Sequence, residues 1–340
     1  MTHEFKDIVE AYLKAKDQDI KAVLATVVDL NGSSYRKPGV RMLILENGQM
    51  IGAVSGGCVE KDIERKAQSV FKDKQPIMMT YDGRFRLGCE GVLYILLEEF
   101  SPTKECIQLF KTIISDRNDF KICSNYIKDE GYFPGLGSYL VLRNNRYWIS
   151  GKTGSPLKSG DDLSLFEQKM PACFKLVIFG SEHDAVQLCQ FAALNGWDVT
   201  IVAGPLESKT IANFPGARAF YTASLDALEL KKIDDETAIM LMSHNFANDL
   251  KFLMELKDTS PAYIGLLGPS HRKEKLLSQL IEYCPEISEN YVDQIHGPAG
   301  LNIGAETPQE IAISILSEIL TVIRKKNPIR LKEKKGSIHA

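Results

Sequence analysis

No apolar run in this chain is long enough to span a membrane; the longest, such as Ile95-Leu96-Leu97, are strand-sized. A net charge of −3 over 340 residues leaves no basic surplus for nucleic acid or for an anionic membrane surface. Met1-Thr2-His3-Glu4-Phe5-Lys6 carries charge where a signal peptide needs an apolar core, so a cytoplasmic protein is expected. The seven cysteines contain no C-x-x-C, and no cysteine-histidine pairing has the spacing of a zinc site. An odd count without scaffold spacing points to reduced thiols. Internal repeats and low-complexity segments are also missing.

The length and apolar fraction suffice for two domains with real cores. Phe5, Ile8, Val9, Tyr12 and Leu13 mark an amphipathic opening helix. Lys21 to Val28 reads as a strand. Val40–Leu45 and Met50–Val54 read as a hairpin turned by Asn47-Gly48. Strands follow near Pro76–Tyr81 and Val92–Leu97, closing a compact α/β domain over 1–100. Residues 101–171 read as a connecting segment, with a helix over Glu105–Ile114 and short strands between Phe120 and Ile149. From 172 to 325 the pattern turns to β-α-β, with strands at Lys175–Phe179, Val199–Val202, Thr237–Met242 and Ala262–Leu267. Thr307-Pro308-Gln309-Glu310 is a capping box with proline at the first helical position, and a helix runs from it through Ile323. Residues 326–340 form a basic tail. The fold class expected is α/β, a small N-terminal domain followed by a Rossmann-like domain with a mainly parallel sheet.

The most informative stretch is Ser55-Gly56-Gly57-Cys58-Val59-Glu60. Its glycines permit a tight turn and close approach to a ligand. Val59, Ile63, Ala67 and Val70 then repeat on one helical face. A thiol at a helix N-terminus has a depressed pKa, which makes it a better nucleophile or soft-metal ligand. A second glycine-flanked cysteine stands in Leu87-Gly88-Cys89-Glu90-Gly91, and the pair points to shared chemistry across one cleft. The plainer alternative, that each thiol fills a core as a small hydrophobe, stays open.

In the second half, Gly180-Ser181 joins a strand to a helix in the setting of a dinucleotide fingerprint. Glu182 stands at the second glycine position and would bring a carboxylate toward a pyrophosphate. Val202-Ala203-Gly204 lacks the acid that holds a ribose hydroxyl. NAD(P) is therefore expected to bind weakly or not at all. Ser243-His244-Asn245 and Gly268-Pro269-Ser270-His271-Arg272 follow later strands. Ligands of open parallel sheets bind beyond the carboxyl ends of strands, so His244, Ser270 and Arg272 are expected to line one crevice.

These segments together resemble the XdhC/CoxI family, the xanthine dehydrogenase accessory factors. The resemblance is carried by Gly32-Ser33-Ser34-Tyr35-Arg36-Lys37-Pro38-Gly39-Val40-Arg41-Met42, the two cysteine boxes, Gly265 to Arg272, and Ile295-His296-Gly297-Pro298-Ala299-Gly300-Leu301-Asn302-Ile303-Gly304-Ala305-Glu306-Thr307-Pro308-Gln309-Glu310. Tyr35 departs from it, standing where the family often has proline. The resemblance implies a chaperone that binds molybdenum cofactor, protects it during sulfuration and delivers it to a molybdenum hydroxylase of the xanthine dehydrogenase type. A cysteine desulfurase is a further implied partner, and a homodimer is compatible with the sequence. The pterin carries a dithiolene and a phosphate, which call for anion-binding glycine loops and thiol-compatible neighbours. Cys58 is then the principal site residue, as thiol ligand of the metal or as sulfur relay, with Cys89 its neighbour. Arg36, Lys37 and Arg41 are expected to lend positive charge near the Cys58 segment. Ser55, Gly56 and Gly57 with His244, Ser270 and Arg272 complete the expected cofactor-binding set, and Gly297, Gly300 and Gly304 supply backbone access. The competing class is an NAD(P)-dependent oxidoreductase using the Rossmann-like domain.

Overall fold

The computed structural model describes residues 1–32, 37–55, 57–83, 91–151, 163–222 and 233–334, with Cys58 described through its backbone. The chain divides into two compact units, Met1–Ala172 and Cys173–Ala340.

The first unit opens with α1 (Thr2–Lys16), whose buried residues Phe5, Ile8, Val9, Tyr12 and Ala15 follow the helical period. Five strands follow: β1 (Ala22–Asn31), β2 (Arg41–Leu45), β3 (Met50–Gly52), β4 (Ile77–Asp82) and β5 (Val92–Glu99). They form an antiparallel sheet in the order β3-β2-β1-β5-β4. Asn47-Gly48 turns the β2–β3 hairpin, with Gly48 at φ +86° as such turns require. Side chains alternate across a strand, so each face of this sheet meets a different partner. Met42 and Ile44 pack with Val59, Ile63, Ala67 and Val70 of α2 (Cys58–Asp73). Leu43 and Leu45 pack on the opposite face with α1.

Residues 101–171 fold as α3 (Lys104–Ser115) and a second antiparallel sheet. Its strands β6 (Phe120–Tyr126), β7 (Gly137–Leu142), β8 (Asn145–Trp148) and β9 (Ser164–Met170) run in the order β8-β7-β6-β9. One core holds Phe5, Leu24, Phe100, Phe110, Phe120, Leu140 and Met170, so this stretch shares its apolar interior with α1 and β1. Phe5 meets Phe100 and Phe110 edge to face, at 6.4 and 5.6 Å between ring centres.

The second unit is a parallel sheet of β10 (Lys175–Phe179), β11 (Asp198–Ala203), β12 (Ala217–Thr222), β13 (Thr237–Leu241), β14 (Tyr263–Leu266) and β15 (Ile295–His296), in the order β12-β11-β10-β13-β14-β15. Renumbered within the unit this is 3-2-1-4-5-6, the doubly wound Rossmann order, and the strand order reverses between β10 and β13. The expected α/β class and parallel C-terminal sheet are what the structure shows. Helices α4 (His183–Leu194) and α8 (Pro308–Arg324) cover one face; α5 (Phe246–Leu256) and α6 (Ser270–Tyr283) cover the other. The short α7 (Glu289–Asp293) precedes β15.

Candidate functional site

In the first unit the focus is the start of α2. Gly57 is its N-cap, at φ +119°. A Cβ there would meet no atom within 4 Å, so conformation rather than space explains the glycine. Glu60, one turn into the helix, reaches back so that its carboxylate accepts the amides of Ser55 at 2.6 Å and Gly57 at 2.7 Å. The motif therefore contains its own clamp: an acid at the third helical position holds the turn from which Cys58 enters α2. The donors of Ser55 and Gly57 are thereby taken up by Glu60. This role for Glu60 is not among the sequence expectations; its signal is the capping-box spacing. Arg36, Gly56 and Cys89 lie outside the described residues, as does any pairing of Cys58 with Cys89.

Arg41 is found elsewhere. It shares a strand face with Leu43 and Leu45, away from α2, and is 7% exposed. Its Nη1 donates to Gly39 O at 2.9 Å and Gln168 Oε1 at 2.5 Å, and its guanidinium lies 5.9 Å from the centre of the Phe5 ring. The expectation that Arg41 lends charge beside the Cys58 segment is thus corrected: the two-residue strand period sends its side chain to the other face of the sheet. Burial brings the Arg41 pKa down to about 10, with Glu98 and Glu4 acting against the shift. Burial likewise pushes the Glu98 carboxyl up to about 7, against the opposing pull of Ser138 and Arg41.

In the second unit the loops beyond the strand ends carry the remaining expected residues. A side chain at Gly180 (φ +144°) would overlap the carbonyl of Met242, so that glycine is required by the approach of two strand ends. The turn is furnished with protein charges. Ser181 Oγ donates to Glu207, Lys209 Nζ donates to Ser181 O at 2.7 Å, and Lys209 lies 3.6 Å from both Glu182 and Glu207. The Ser181 hydroxyl and the Lys209 amide hold the Glu207 carboxyl down to about 2. Glu182 is exposed at the N-cap of α4.

His244 and the Ser270–Arg272 segment stand at the ends of the adjacent strands β13 and β14, and their side chains meet carboxylates on different helices. His244 Nε2 lies 3.7 Å from Asp184 of α4. Arg272 Nη2 donates to Asp249 of α5 at 2.9 Å. Asp249 is 1% exposed and also accepts from Ser243 Oγ at 2.5 Å. Burial raises its pKa, while Ser243 and Arg272 pull the other way. Ser270 and Arg272, read as loop residues, form the first turn of α6, and Ser270 is exposed.

The glycines of the last motif lie between β15 and α8. Gly300 N donates to Glu318 Oε2 at 2.8 Å. The same carboxylate accepts from Tyr263 Oη at 2.5 Å and lies 3.3 Å from His296 Nδ1. Burial would raise the Glu318 pKa, but these three partners bring it below the usual carboxylate range. Glu318 thus fastens β14, β15 and the glycine loop to α8. Its sequence signal is a carboxylate among Ile315, Leu316 and Ile319. A side chain at Gly300 would overlap Ser314 Oγ, whereas Gly304 is exposed, with open space around it. Gly297 faces the Lys273 side chain, 3.1 Å from where a Cβ would stand.

The two units define an antiparallel α/β module with a glycine-cysteine turn and a Rossmann module whose phosphate turn is furnished with acidic side chains. Family models match each half: the XdhC and CoxI family over residues 15–82, and the XdhC Rossmann domain over residues 176–319. Together they cover well over half of the chain, which belongs to the XdhC and CoxI family. It is 27% identical to a protein of Bacillus subtilis named as a probable xanthine dehydrogenase subunit, over 93% of this chain and 96% of that one. It is 25% identical to the molybdenum cofactor insertion chaperone PaoD of Escherichia coli, over 95% of this chain and 90% of that one. A crystal structure described as a xanthine dehydrogenase from Bacillus halodurans superposes with a TM-score of 0.76 at 25% identity, covering 96% of this chain and 98% of that one. Among the described residues no helix is long and apolar enough to cross a membrane, and no group of three or more metal-ligating side chains gathers.

Proposed function

We propose that this protein is an accessory factor for a molybdenum hydroxylase of the xanthine dehydrogenase type, handling molybdenum cofactor as cargo and supporting its sulfuration and insertion. The observation that carries the reading is the Glu60 clamp, which fixes the backbone from which Cys58 enters α2. A thiol on a pre-set turn at a helix start suits either reversible ligation of a soft metal centre or relay of sulfur. The names of the Bacillus and Escherichia relatives support the same partner class and the same cargo.

Cys58 is the residue proposed to contact cargo, with Cys89 as its companion. Since Glu60 takes the amides of Ser55 and Gly57, the cationic side chain of Arg36 is assigned to the pterin phosphate. Within the Rossmann unit by itself, His244, the exposed Ser270 and the open backbone at Gly304 are the positions proposed to meet a ligand, since Arg272 is held by Asp249 and Gly300 N by Glu318. Sulfuration requires a sulfur donor, and a cysteine desulfurase is the partner class proposed; a homodimer is a compatible working form. The oxidoreductase alternative is disfavoured because Glu182 and Glu207 bring negative charge to the turn where a pyrophosphate would sit.

The test is release of oxidised, fluorescent pterin from protein purified out of cells that make the cofactor. Pterin in wild type and its loss in Cys58→Ala are expected. Absence of pterin from wild type contradicts the carrier reading.

A further inference from the structure

On the face of β1, β2 and β5 that meets the second sheet, Thr26, Arg41 and Glu98 stand together among Leu24, Leu43 and Leu96. Register gathers them: Thr26 pairs with Arg41 on one side and Leu96 on the other, and Glu98 stands two residues along from Leu96 on the same face. They are 0%, 7% and 2% exposed. Each of the two charged residues also bonds across to the second sheet, Arg41 to Gln168 and Glu98 from the amide of Ser138 at 2.8 Å.

Side-chain polar atoms buried this deeply almost always have a hydrogen-bond partner. Here Thr26 Oγ1, Arg41 Nε, Arg41 Nη2 and Glu98 Oε1 meet none among the described residues. Arg41 and Glu98 feel each other's charge without bonding directly. The unmet groups comprise guanidinium donors, a carboxylate acceptor and a hydroxyl that does both. An anion drawn to Arg41 would meet Glu98, and a cation drawn to Glu98 would meet Arg41. The ligand that suits both is small, neutral, and able to donate and accept together.

We propose that Thr26, Arg41 and Glu98 enclose an internal water site, in which about one or two water molecules bridge the Arg41 guanidinium to Glu98 Oε1 and Thr26 Oγ1. The bridge joins β2 to β5 across β1, and through Gln168 and Ser138 it ties the two sheets together. It gives Arg41 a role within the motif that ends at Met42: the arginine is the core of a hydrated polar clamp.

The wild-type full-length chain, crystallised at a resolution that shows ordered solvent, tests the site directly. Solvent density within about 3.2 Å of both Arg41 Nη2 and Glu98 Oε1 is the expected result. A direct Arg41–Glu98 ion pair with no solvent density overturns the proposal. Oxygen-17 relaxation dispersion gives a second, solution readout. The Arg41→Met/Glu98→Leu double variant is expected to lose at least one long-lived water relative to wild type, and Glu98→Gln, which keeps the oxygen, to retain it. Equal numbers in wild type and the double variant overturn the proposal; should the double variant fail to fold, the wild-type crystal structure decides alone.

Discussion

Glu60 accepts the amide of Gly57 at 2.7 Å, so the acid that ends the cysteine box holds the glycine that precedes its thiol. The finding separates two roles that the motif runs together. Glu60 shapes the turn, and Cys58 follows it as the first residue of α2.

Gly57→Ala tests the conformational half of that statement. There is room for the methyl, yet at φ +119° an L-residue is strained, and a loss of about 1–3 kcal/mol is expected. Glu60→Ala, which removes the clamp, is expected to cost about 1 kcal/mol. Urea unfolding measures both. A Gly57→Ala protein as stable as wild type contradicts the assignment.

Thiol reactivity follows from environment. Burial pushes the Cys106 thiol up to about 12 and Cys189 up to about 11, and raises Cys123 as well. Cys58, at the start of a helix, is expected to alkylate faster than all three near neutral pH. Site-resolved alkylation rates check this, and a Cys58 no faster than Cys106 or Cys123 removes the activated thiol.

Stability should depend on pH through Glu98. Its folded carboxyl titrates near 7 against an ordinary 4.5, so the folded chain holds the proton longer than the unfolded one. The resulting stabilisation is present below about pH 4.5, falls as pH rises toward 7 and stays lost above it, an effect on the order of 3 kcal/mol. Arg41 titrates at about 10, outside that window. Glu98→Gln is expected to flatten the slope between pH 4.5 and 7. An unchanged slope assigns it to another group.

Glu318 gives the corresponding test in the Rossmann unit. Glu318→Ala strands Tyr263 Oη, which is fully buried, and Gly300 N, and a cost of about 2–4 kcal/mol is expected. Amide exchange at Gly300 should accelerate in step. Unaltered exchange there means the loop is held by other contacts.

Much of this was legible in sequence because it is local. Val59, Ile63, Ala67 and Val70 announced the buried face of α2, Asn47-Gly48 the β2–β3 hairpin, and Thr307 to Glu310 the start of α8. Apart from the Glu60 clamp, whose capping-box spacing is local, what escaped lacks a local signal. The edge strands β9 and β12 bury few side chains, and β15 is only two residues long. In α6 only Leu276 and Leu280 are buried, so its first turn, with Ser270 and Arg272, read as loop. The Arg41 guanidinium and the Glu318 carboxylate are placed by tertiary partners far along the chain, Gln168 and Tyr263, which no spacing reveals.

The most direct test of the whole account is reconstitution of a cofactor-free molybdenum hydroxylase with this protein and molybdenum cofactor. Activation by wild type and its loss with Cys58→Ala, in a variant that stays folded, is the outcome the account requires. Equal activation by both proteins contradicts it.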